Sequence, residues 1–258
     1  MTRAGRFSAI LDQVVRSGSA DVTVLAEVLG VSAATVRRDL QSLDSQGLLV
    51  RTHGGAIAGS SGIELLMRHR TGSNQLEKQA IALYASTLVP DGATVGMTGG
   101  TTTMGVARAL LHSRDVTVVT NAINVASELM LKPNLRVVVV GGNARHASYE
   151  LVGPAAESTL RRYHLDMAFI GVDGLTVSRG CTTHDEMEAQ TDRAMIEQSD
   201  RVVVVADHSK LGRVTFAGIC STAEITDLVT DAGADPDQLS SLQEAGVRVA
   251  AMPLQAGK

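Results

Sequence analysis

The sequence has few aromatic residues and no long apolar run. Its 258 residues include no tryptophan, three phenylalanines and three tyrosines. Single-stranded nucleic acid is held mainly by stacking bases on aromatic rings, so this composition argues against such a binding platform. No stretch approaches the roughly 18 apolar residues that a membrane-spanning helix needs, and the amino terminus lacks the apolar core of a secretion signal. We therefore expect a cytoplasmic protein with no membrane partner.

Cysteine is also scarce. Cys181 and Cys220 lie 39 positions apart, outside any Cys-x-x-Cys pair or recognisable set of metal ligands. Free thiols in a reducing compartment are the expected state, with no role assigned. Gly99-Gly100 lacks the spacing of a dinucleotide fingerprint or a P-loop. The sequence thus predicts no metal and no cofactor.

Charge is divided unevenly along the chain. Residues 1–58 hold six arginines and five acidic residues, net +1, whereas the remaining 200 residues hold 17 basic and 22 acidic ones, net −5. Only the first segment avoids repelling a polyanion. We expect a DNA-binding domain at 1–58, a small-residue linker at 59–73 and an α/β domain at 74–258.

The amino-terminal segment has the pattern of three short helices and a hairpin. Apolar residues recur at helical spacing over 7–15, a second helix fits 23–29 with Gly30 as its C-cap, and Ser32 is a good N-cap for a third. The run 48–51 predicts a strand that turns at 54–55, as in a wing. The apolar face of the second helix is predicted to consist of Val24, Leu25, Val28 and Leu29.

The third helix is the candidate recognition element. With Val36, Leu40 and Leu43 packed inward, its opposite face carries small, polar and arginine side chains. A helix-turn-helix presents such a face to the major groove of double-stranded DNA. Arg37 and Arg38 could instead form ion pairs on the helix surface. The complete three-helix unit and its mild positive charge favour operator DNA as the partner.

The rest of the chain alternates strands with helices. Nearly continuous valine and isoleucine runs are typical of a parallel sheet covered on both faces, so we expect an α/β fold with a mostly parallel sheet. The predicted strands are 93–97, 116–119, 136–140, 167–170, 202–206 and 248–251. The predicted helices are 63–70, 75–88, 103–111, 125–131, 154–162 and 186–197.

Polar residues follow the predicted strands at their carboxyl ends, where ligands bind in such sheets. The run TGGTTT enters a helix, and its glycines and free amides suit an anion such as phosphate. A Gly-Gly-Thr-Thr run alone is more often only a tight turn. Five polar strand ends on one rim favour a pocket for a small phosphorylated polyol. The candidate effector residues are Thr98, Gly99, Gly100, Thr101, Thr102, Thr120, Asn121, Gly141, Gly142, Asp173 and Lys210.

The run VSAATVRRDLQSLDSQGLLVRTHGG resembles the amino-terminal signature of DeoR-family transcriptional regulators, and GGTTT, VVTNAINVA, DMAFIGVDGLT and ADHSKLG extend the resemblance over nearly the whole chain. It implies a winged helix-turn-helix domain followed by a ribose-5-phosphate isomerase-like effector domain. The expected function is repression of a carbohydrate or polyol catabolic operon, relieved by a phosphorylated sugar. The family commonly has Asp where this chain has Thr98. The implied DNA contacts are Ser32, Thr35, Arg37, Arg38, Gln41, Arg51 and His53.

The alternative is an active sugar-phosphate isomerase with an appended DNA-binding domain. Of the Asp-Gly-x-Asp-Glu strand end of that enzyme family, only Asp173-Gly174 is present, and no lysine occurs between Lys132 and Lys210. We therefore expect no catalytic residue and no enzymatic activity. A single winged domain buries too little surface for operator-grade affinity, so a homo-oligomer, a dimer or tetramer, is expected.

Overall fold

The computed structural model describes residues 3–17, 19–57, 74–110 and 115–253. The chain divides into two compact units, residues 1–73 and residues 74–258. The predicted linker at 59–73 and the predicted helix at 63–70 lie outside the described residues.

The first unit packs three helices on a small antiparallel sheet. Its elements are α1 (Arg3–Ser17), β1 (Ser19–Asp21), α2 (Val22–Leu29), α3 (Ala33–Ser45), β2 (Val50–Arg51) and β3 (Gly55–Ile57). The strand order is β1-β3-β2. The core between them is apolar and includes Ile10, Leu11, Val14, Leu25, Val36, Leu40, Leu43 and Leu49.

Local sequence accounts for the helix ends. Asp21 caps α2 by accepting hydrogen bonds from the backbone N–H groups of Thr23 and Val24. Gly30 ends α2 at φ 62°, a left-handed conformation that glycine adopts without strain. Ser32 caps α3 by accepting from the backbone N–H of Thr35. The predicted caps of α2 and α3 are therefore confirmed.

The predicted apolar face of α2 is partly wrong. The buried residues are Val22, Leu25 and Leu29, whereas the side chains of Val24 and Val28 are 47% and 73% exposed. At 100° per residue, positions 22, 25 and 29 form one stripe, and positions 24 and 28 lie roughly 90° or more from its centre. Helix periodicity, and not hydrophobicity alone, determines which valines are buried.

The second unit is an α/β domain. Its helices are α4 (Gln75–Ser86), α5 (Thr101–Ala109), α6 (Ile123–Leu129), α7 (Pro154–Leu160), α8 (Glu186–Glu197) and α9 (Pro236–Glu244). The strands of its main sheet are β4 (Thr94–Met97), β5 (Val116–Thr120), β6 (Leu135–Val139), β9 (Met167–Ile170), β12 (Val202–Val205), β14 (Asp227–Asp231) and β15 (Arg248–Met252). Four further pieces, β7 (Asn143–Arg145), β8 (Glu150–Val152), β10 (Gly174–Thr176) and β11 (Gly180–Thr183), precede the short strand β13 (Ala217–Cys220).

The main sheet is parallel throughout, in the order β15-β14-β12-β9-β4-β5-β6. Alternate residues of β9 and β12 enter two different apolar clusters, so both faces of the sheet are covered. This explains the continuous apolar runs and confirms the predicted fold class. All six predicted strands are present. The sequence prediction missed β14, because its polar Asp227, Thr230 and Asp231 interrupt the apolar pattern although all three are buried.

Two small antiparallel sheets border the main sheet. The hairpin β7–β8 forms one, and β10-β11-β13 forms the other. Sequence reasoning predicted neither. In the described ranges, no helix has both the length and the apolar character needed to cross a membrane.

Candidate functional site

The exposed face of α3 is the first part of the candidate site. Arg37, Arg38 and Gln41 are exposed, whereas Val36 and Leu40 on the other side are buried. The Arg38 guanidinium makes only a long contact, 3.4 Å from its Nε to the carbonyl oxygen of Ala34. Within the described part of the chain, neither arginine pairs with a carboxylate. The ion-pair alternative therefore has no support here.

Asp39, the residue after the two arginines, points into the unit. Its carboxylate accepts hydrogen bonds from Nε of Arg6 at 2.7 Å and from Nη2 of Arg6 at 3.3 Å. The Asp39 side chain is buried, and this ion pair joins α1 to α3. The Arg-Arg-Asp-Leu run thus presents two cations to solvent while its other two residues anchor the helix.

The hairpin β2–β3 lies beside the end of α3. The carboxylate of Asp44 accepts a hydrogen bond from the backbone N–H of Arg51 at 3.2 Å. A Cβ on Gly55 would lie 1.9 Å from the carbonyl oxygen of Ala20, so β3 requires glycine at this close approach to β1. Arg51 and His53 are both exposed on this hairpin.

The loop after β4 is the second part of the candidate site. The Thr98 hydroxyl is buried and accepts a hydrogen bond from the backbone N–H of Gly171 at 3.0 Å, which joins the carboxyl ends of β4 and β9. Gly100, at φ 120°, begins α5 without a side-chain cap. Aspartate or serine side chains cap α2, α3, α8 and α9, whereas α4, α6 and α7 begin without a side-chain cap, as α5 does. The first backbone amides of α5 therefore have no side-chain acceptor.

The loop after β5 lies beneath the surface. The Thr120 hydroxyl donates to the carbonyl oxygen of Met97 at 2.7 Å and accepts from the backbone N–H of Ala122 at 3.0 Å. The Asn121 amide nitrogen donates to Oε1 of Glu150 at 3.3 Å. Its Oδ1 is buried and has no hydrogen-bond partner among the described residues. These buried side chains therefore support the loops that follow β4 and β5.

Asp173 and Lys210 meet at the accessible rim. Lys210 Nζ lies 3.1 Å from Oδ1 of Asp173, and His184 Nε2 lies 3.8 Å from Oδ2 of the same carboxylate. The Thr183 hydroxyl also donates to Asp173, at 3.4 Å. An anion that binds Lys210 would have to compete with Asp173.

The predicted effector residues divide into accessible and buried groups. Gly100, Thr101, Asp173 and Lys210 are partly exposed, and Gly141 and Gly142 after the edge strand β6 are exposed. The buried members are Thr98, Gly99, Thr102, Thr120 and Asn121.

Sequence reasoning missed a group of buried acidic residues behind the β4 loop. Oε1 of Glu150 accepts from the backbone N–H of Gly99 at 2.6 Å, and burial together with the charge of Glu188 raises the pKa of Glu150 to about 8. Burial also raises the pKa of Glu188 and of Asp192. Arg145 Nε lies 3.1 Å from Asp185, and Arg145 Nη1 lies 3.2 Å from Glu188. No local motif marks these residues, because they come from the β7–β8 hairpin and α8.

Two features lie away from these loops. His164, Asp166 and Asp200 place possible metal ligands within 4.8 Å of one another, but all are exposed, and His164 and Asp200 already pair at 3.0 Å. A groove lined by Tyr84 and Leu88 is also lined by Arg201, Arg248 and Asp227, and both arginines form ion pairs with Asp227. In both features charged side chains already pair with one another, so neither is a candidate ligand site.

Two solved structures can be superposed on part of this chain. Ribose 5-phosphate isomerase A from Methanocaldococcus jannaschii has 20% sequence identity and a TM-score of 0.41, over 54% of this chain and 55% of that chain. The eIF2B delta subunit from Chaetomium thermophilum has 16% identity and a TM-score of 0.45, over 64% and 58%.

Curated relatives align along nearly the whole chain. The putative aga operon transcriptional repressor of Escherichia coli O157:H7 is 36% identical over 95% of this chain and 92% of that protein. The transcriptional regulator GlpR of Haloferax volcanii is 39% identical over 96% and 98%. The glycerol-3-phosphate regulon repressor of Escherichia coli K12 is 34% identical over 94% and 95%. All three are named as transcriptional regulators and none as an enzyme, in agreement with the prediction of a non-enzymatic protein.

Family models match both units. The model of the DeoR-like helix-turn-helix domain matches residues 6–61, and that of the DeoR C terminal sensor domain matches residues 73–232. The family resemblance predicted from the sequence is confirmed. Among the described residues of the first unit, two exposed arginines of α3 have no carboxylate partner, and the second unit is built on a parallel sheet. This chain belongs to the DeoR family of transcriptional regulators.

Proposed function

We propose that this protein is a repressor whose sensor unit binds a phosphorylated sugar or polyol and thereby releases operator DNA. The observation that carries this proposal is the face of α3, where Arg37 and Arg38 are exposed with no carboxylate partner among the described residues. Relatives named as repressors of the aga operon and of the glycerol-3-phosphate regulon support the carbohydrate assignment. The protein would act in the cytoplasm, where its operator is.

The proposed DNA-binding residues lie on α3 and the following hairpin. The side chains of Arg37, Arg38 and Gln41 would reach base edges or phosphates in the major groove, since a recognition helix presents its solvent face there. Exposed residues of the hairpin would contact the backbone beside the groove. The full proposed set is Ser32, Thr35, Arg37, Arg38, Gln41, Arg51 and His53.

The proposed effector site is the rim around the start of α5. The amides of α5 at Thr101 and Thr102 have no side-chain cap, and the helix dipole favours a phosphate at that end. Lys210 would add a positive charge if the phosphate replaced Asp173 as its partner. The buried Oδ1 of Asn121 has no donor in the part of the chain that the structure describes, and it would accept a hydrogen bond from a hydroxyl of the ligand after the loops open. The remaining proposed residues are Thr98, Gly99, Gly100, Thr120, Gly141, Gly142 and Asp173.

The domain limits and the assembly belong to the same proposal. A winged domain at 1–58 and a linker at 59–73 would place one recognition helix per chain on the DNA. Two or more chains, paired through residues 74–258, would then bind a pseudo-palindromic operator.

The test is fluorescence anisotropy of the full chain with a duplex from its own upstream region, at fixed salt. We expect tight binding that one phosphorylated compound releases, in a panel of glycerol 3-phosphate, pentose phosphates and hexose phosphates. The unphosphorylated form of the same compound is the matched control and should release nothing. Equal binding to unrelated duplexes, or equal release by the unphosphorylated form, would contradict the proposal.

A further inference from the structure

The two cysteines, 39 positions apart in the sequence, are direct neighbours in the sensor unit. Cys181 of β11 lies opposite Cys220 of β13 in an antiparallel pair. Residues opposite each other in such a pair have Cα atoms about 4.5–5.5 Å apart, within the range of about 4.4–6.8 Å that a disulfide spans. Their side chains also lie on the same face of the sheet. The strand register shifts between Cys181 and Thr182, directly after this pair. The two thiols nevertheless hydrogen-bond each other, so their sulfur atoms meet at the position that a cross-strand disulfide would occupy.

Both thiols are free and share one apolar environment. Their exposed fractions are 0% for Cys181 and 5% for Cys220, and both belong to the cluster that contains Ile219 and Met195. The charged groups that act on the pair are Asp192 and Arg193 of α8 and Glu224 after β13. The guanidinium of Arg193 donates to the carbonyl oxygen of Ile219, the residue before Cys220, at 3.3 Å.

The two thiols are not equivalent. The hydrogen bond between them raises the pKa of Cys181 and lowers the pKa of Cys220, and the nearby Arg193 acts in the same direction on Cys220. Thiolates, and not thiols, are the nucleophiles in cysteine oxidation. Cys220 lies on the edge strand of its sheet and is 5% exposed, whereas Cys181 lies on the central strand and is 0% exposed. We therefore assign Cys220 as the thiol that reacts first and Cys181 as the thiol that resolves it.

We propose that Cys181 and Cys220 form a redox-sensitive dithiol that a hydroperoxide converts into an intrachain cross-strand disulfide. In the first step the Cys220 thiolate attacks one oxygen of the hydroperoxide, the O–O bond breaks, and a sulfenic acid and hydroxide (or alkoxide) form. In the second step the Cys181 sulfur attacks the sulfenic sulfur, the S–O bond breaks, and water leaves with the Cys181 proton. Two thiols are oxidised by two electrons, and one peroxide is reduced.

The position of the pair connects this chemistry to the sensor rim. Thr183, two residues after Cys181 on β11, hydrogen-bonds both Asp173 and Glu188. A covalent bond between β11 and β13 would fix the strand that carries this threonine. The modification site is independent of which effector the rim binds.

The test uses the reduced full-length protein and hydrogen peroxide in slight excess. We expect an intact mass lower by about 2 Da, reversed by dithiothreitol, with an unchanged circular dichroism spectrum. Trypsin should release residues 180–193 and 214–248 as one disulfide-linked peptide, since the two cysteines lie on different tryptic peptides. Cys181→Ser is the matched control and should gain oxygen on Cys220 without losing 2 Da.

Three results would overturn the proposal, and all can be read from the unmutated protein. One is that both thiols stay reduced while the fold is intact. Another is that Cys220 gains oxygen without forming the linked peptide. The third is that the linked peptide appears only in urea at concentrations that unfold the sensor unit, because the native strand pairing would then not be the cause.

Discussion

The ion pair between Arg6 and Asp39 gives the sharpest prediction. In the Arg-Arg-Asp-Leu run of α3, the buried Asp39 should affect stability, whereas the two exposed arginines before it should affect DNA binding. Asp39→Asn keeps the shape of the side chain but removes the charge that accepts two hydrogen bonds, at 2.7 and 3.3 Å. A hydrogen bond to a charged group contributes about 1.5–3 kcal/mol, and the longer of these two contributes less. We expect a loss of about 2 kcal/mol in the free energy of unfolding of the first unit.

The measurement is urea denaturation of the full chain, followed by circular dichroism and by anisotropy with labelled operator. The stability of a small unit falls by about 1–2 kcal/mol per molar urea, so the midpoint of DNA-binding loss should fall by roughly 1–2 M. Glu27→Gln is the matched control, since Glu27 is an exposed acidic residue on α2. An Arg6→Gln/Asp39→Asn double variant should lose less than the sum of the single variants. An unchanged midpoint for Asp39→Asn, or strict additivity in the double variant, would refute the reasoning.

The remaining predictions concern the recognition face, the buried acid and the wing. Arg38→Ala should leave the urea midpoint unchanged. If the guanidinium contacts a base, the change should weaken operator binding, measured by anisotropy, by about 1–3 kcal/mol. An affinity and a salt dependence equal to those of the unmutated protein would show that Arg38 does not contact the DNA. Glu150 has a pKa of about 8 in the folded protein against an ordinary value of 4.5, so between these values the folded state binds a proton that the unfolded state lacks. Stability should therefore fall as pH rises from 5 to 8, and Glu150→Gln should flatten that fall in urea titrations at several pH values; an identical slope in both proteins would contradict it. The charged groups that act on this carboxyl are Glu188, Asp192 and Arg145, and all three are present in both the unmutated protein and the Glu150→Gln variant. Gly55→Ala should destabilise the first unit by several kcal/mol, since its Cβ would lie 1.9 Å from a backbone oxygen of Ala20. Gly54→Ala, whose Cβ has its nearest neighbour at 3.8 Å, is the control. Equal urea midpoints for the two variants would exclude the clash.

Local signals in the sequence were sufficient to predict α3 and its exposed face. A serine N-cap, apolar residues at i, i+4 and i+7, and two arginines on the opposite side all act within one or two helical turns. The parallel sheet could also be predicted from a local signal, the continuous valine runs of its strands. The burial of Val24 and Val28 was predicted wrongly, because apolar character was given more weight than helical phase.

The presence of two units, the family, the exposed face of α3 and six of the seven main strands could all be predicted from the sequence. Which distant residues meet became clear only from the folded structure. Glu150 reaches the amide of Gly99 from a separate hairpin, Arg6 pairs with Asp39 across 33 positions, and Cys181 faces Cys220 across two strands. The physical reason is that propensity, capping and periodicity are properties of neighbours in the chain. The pKa of a buried carboxyl and the pairing of two thiols are instead properties of neighbours in space.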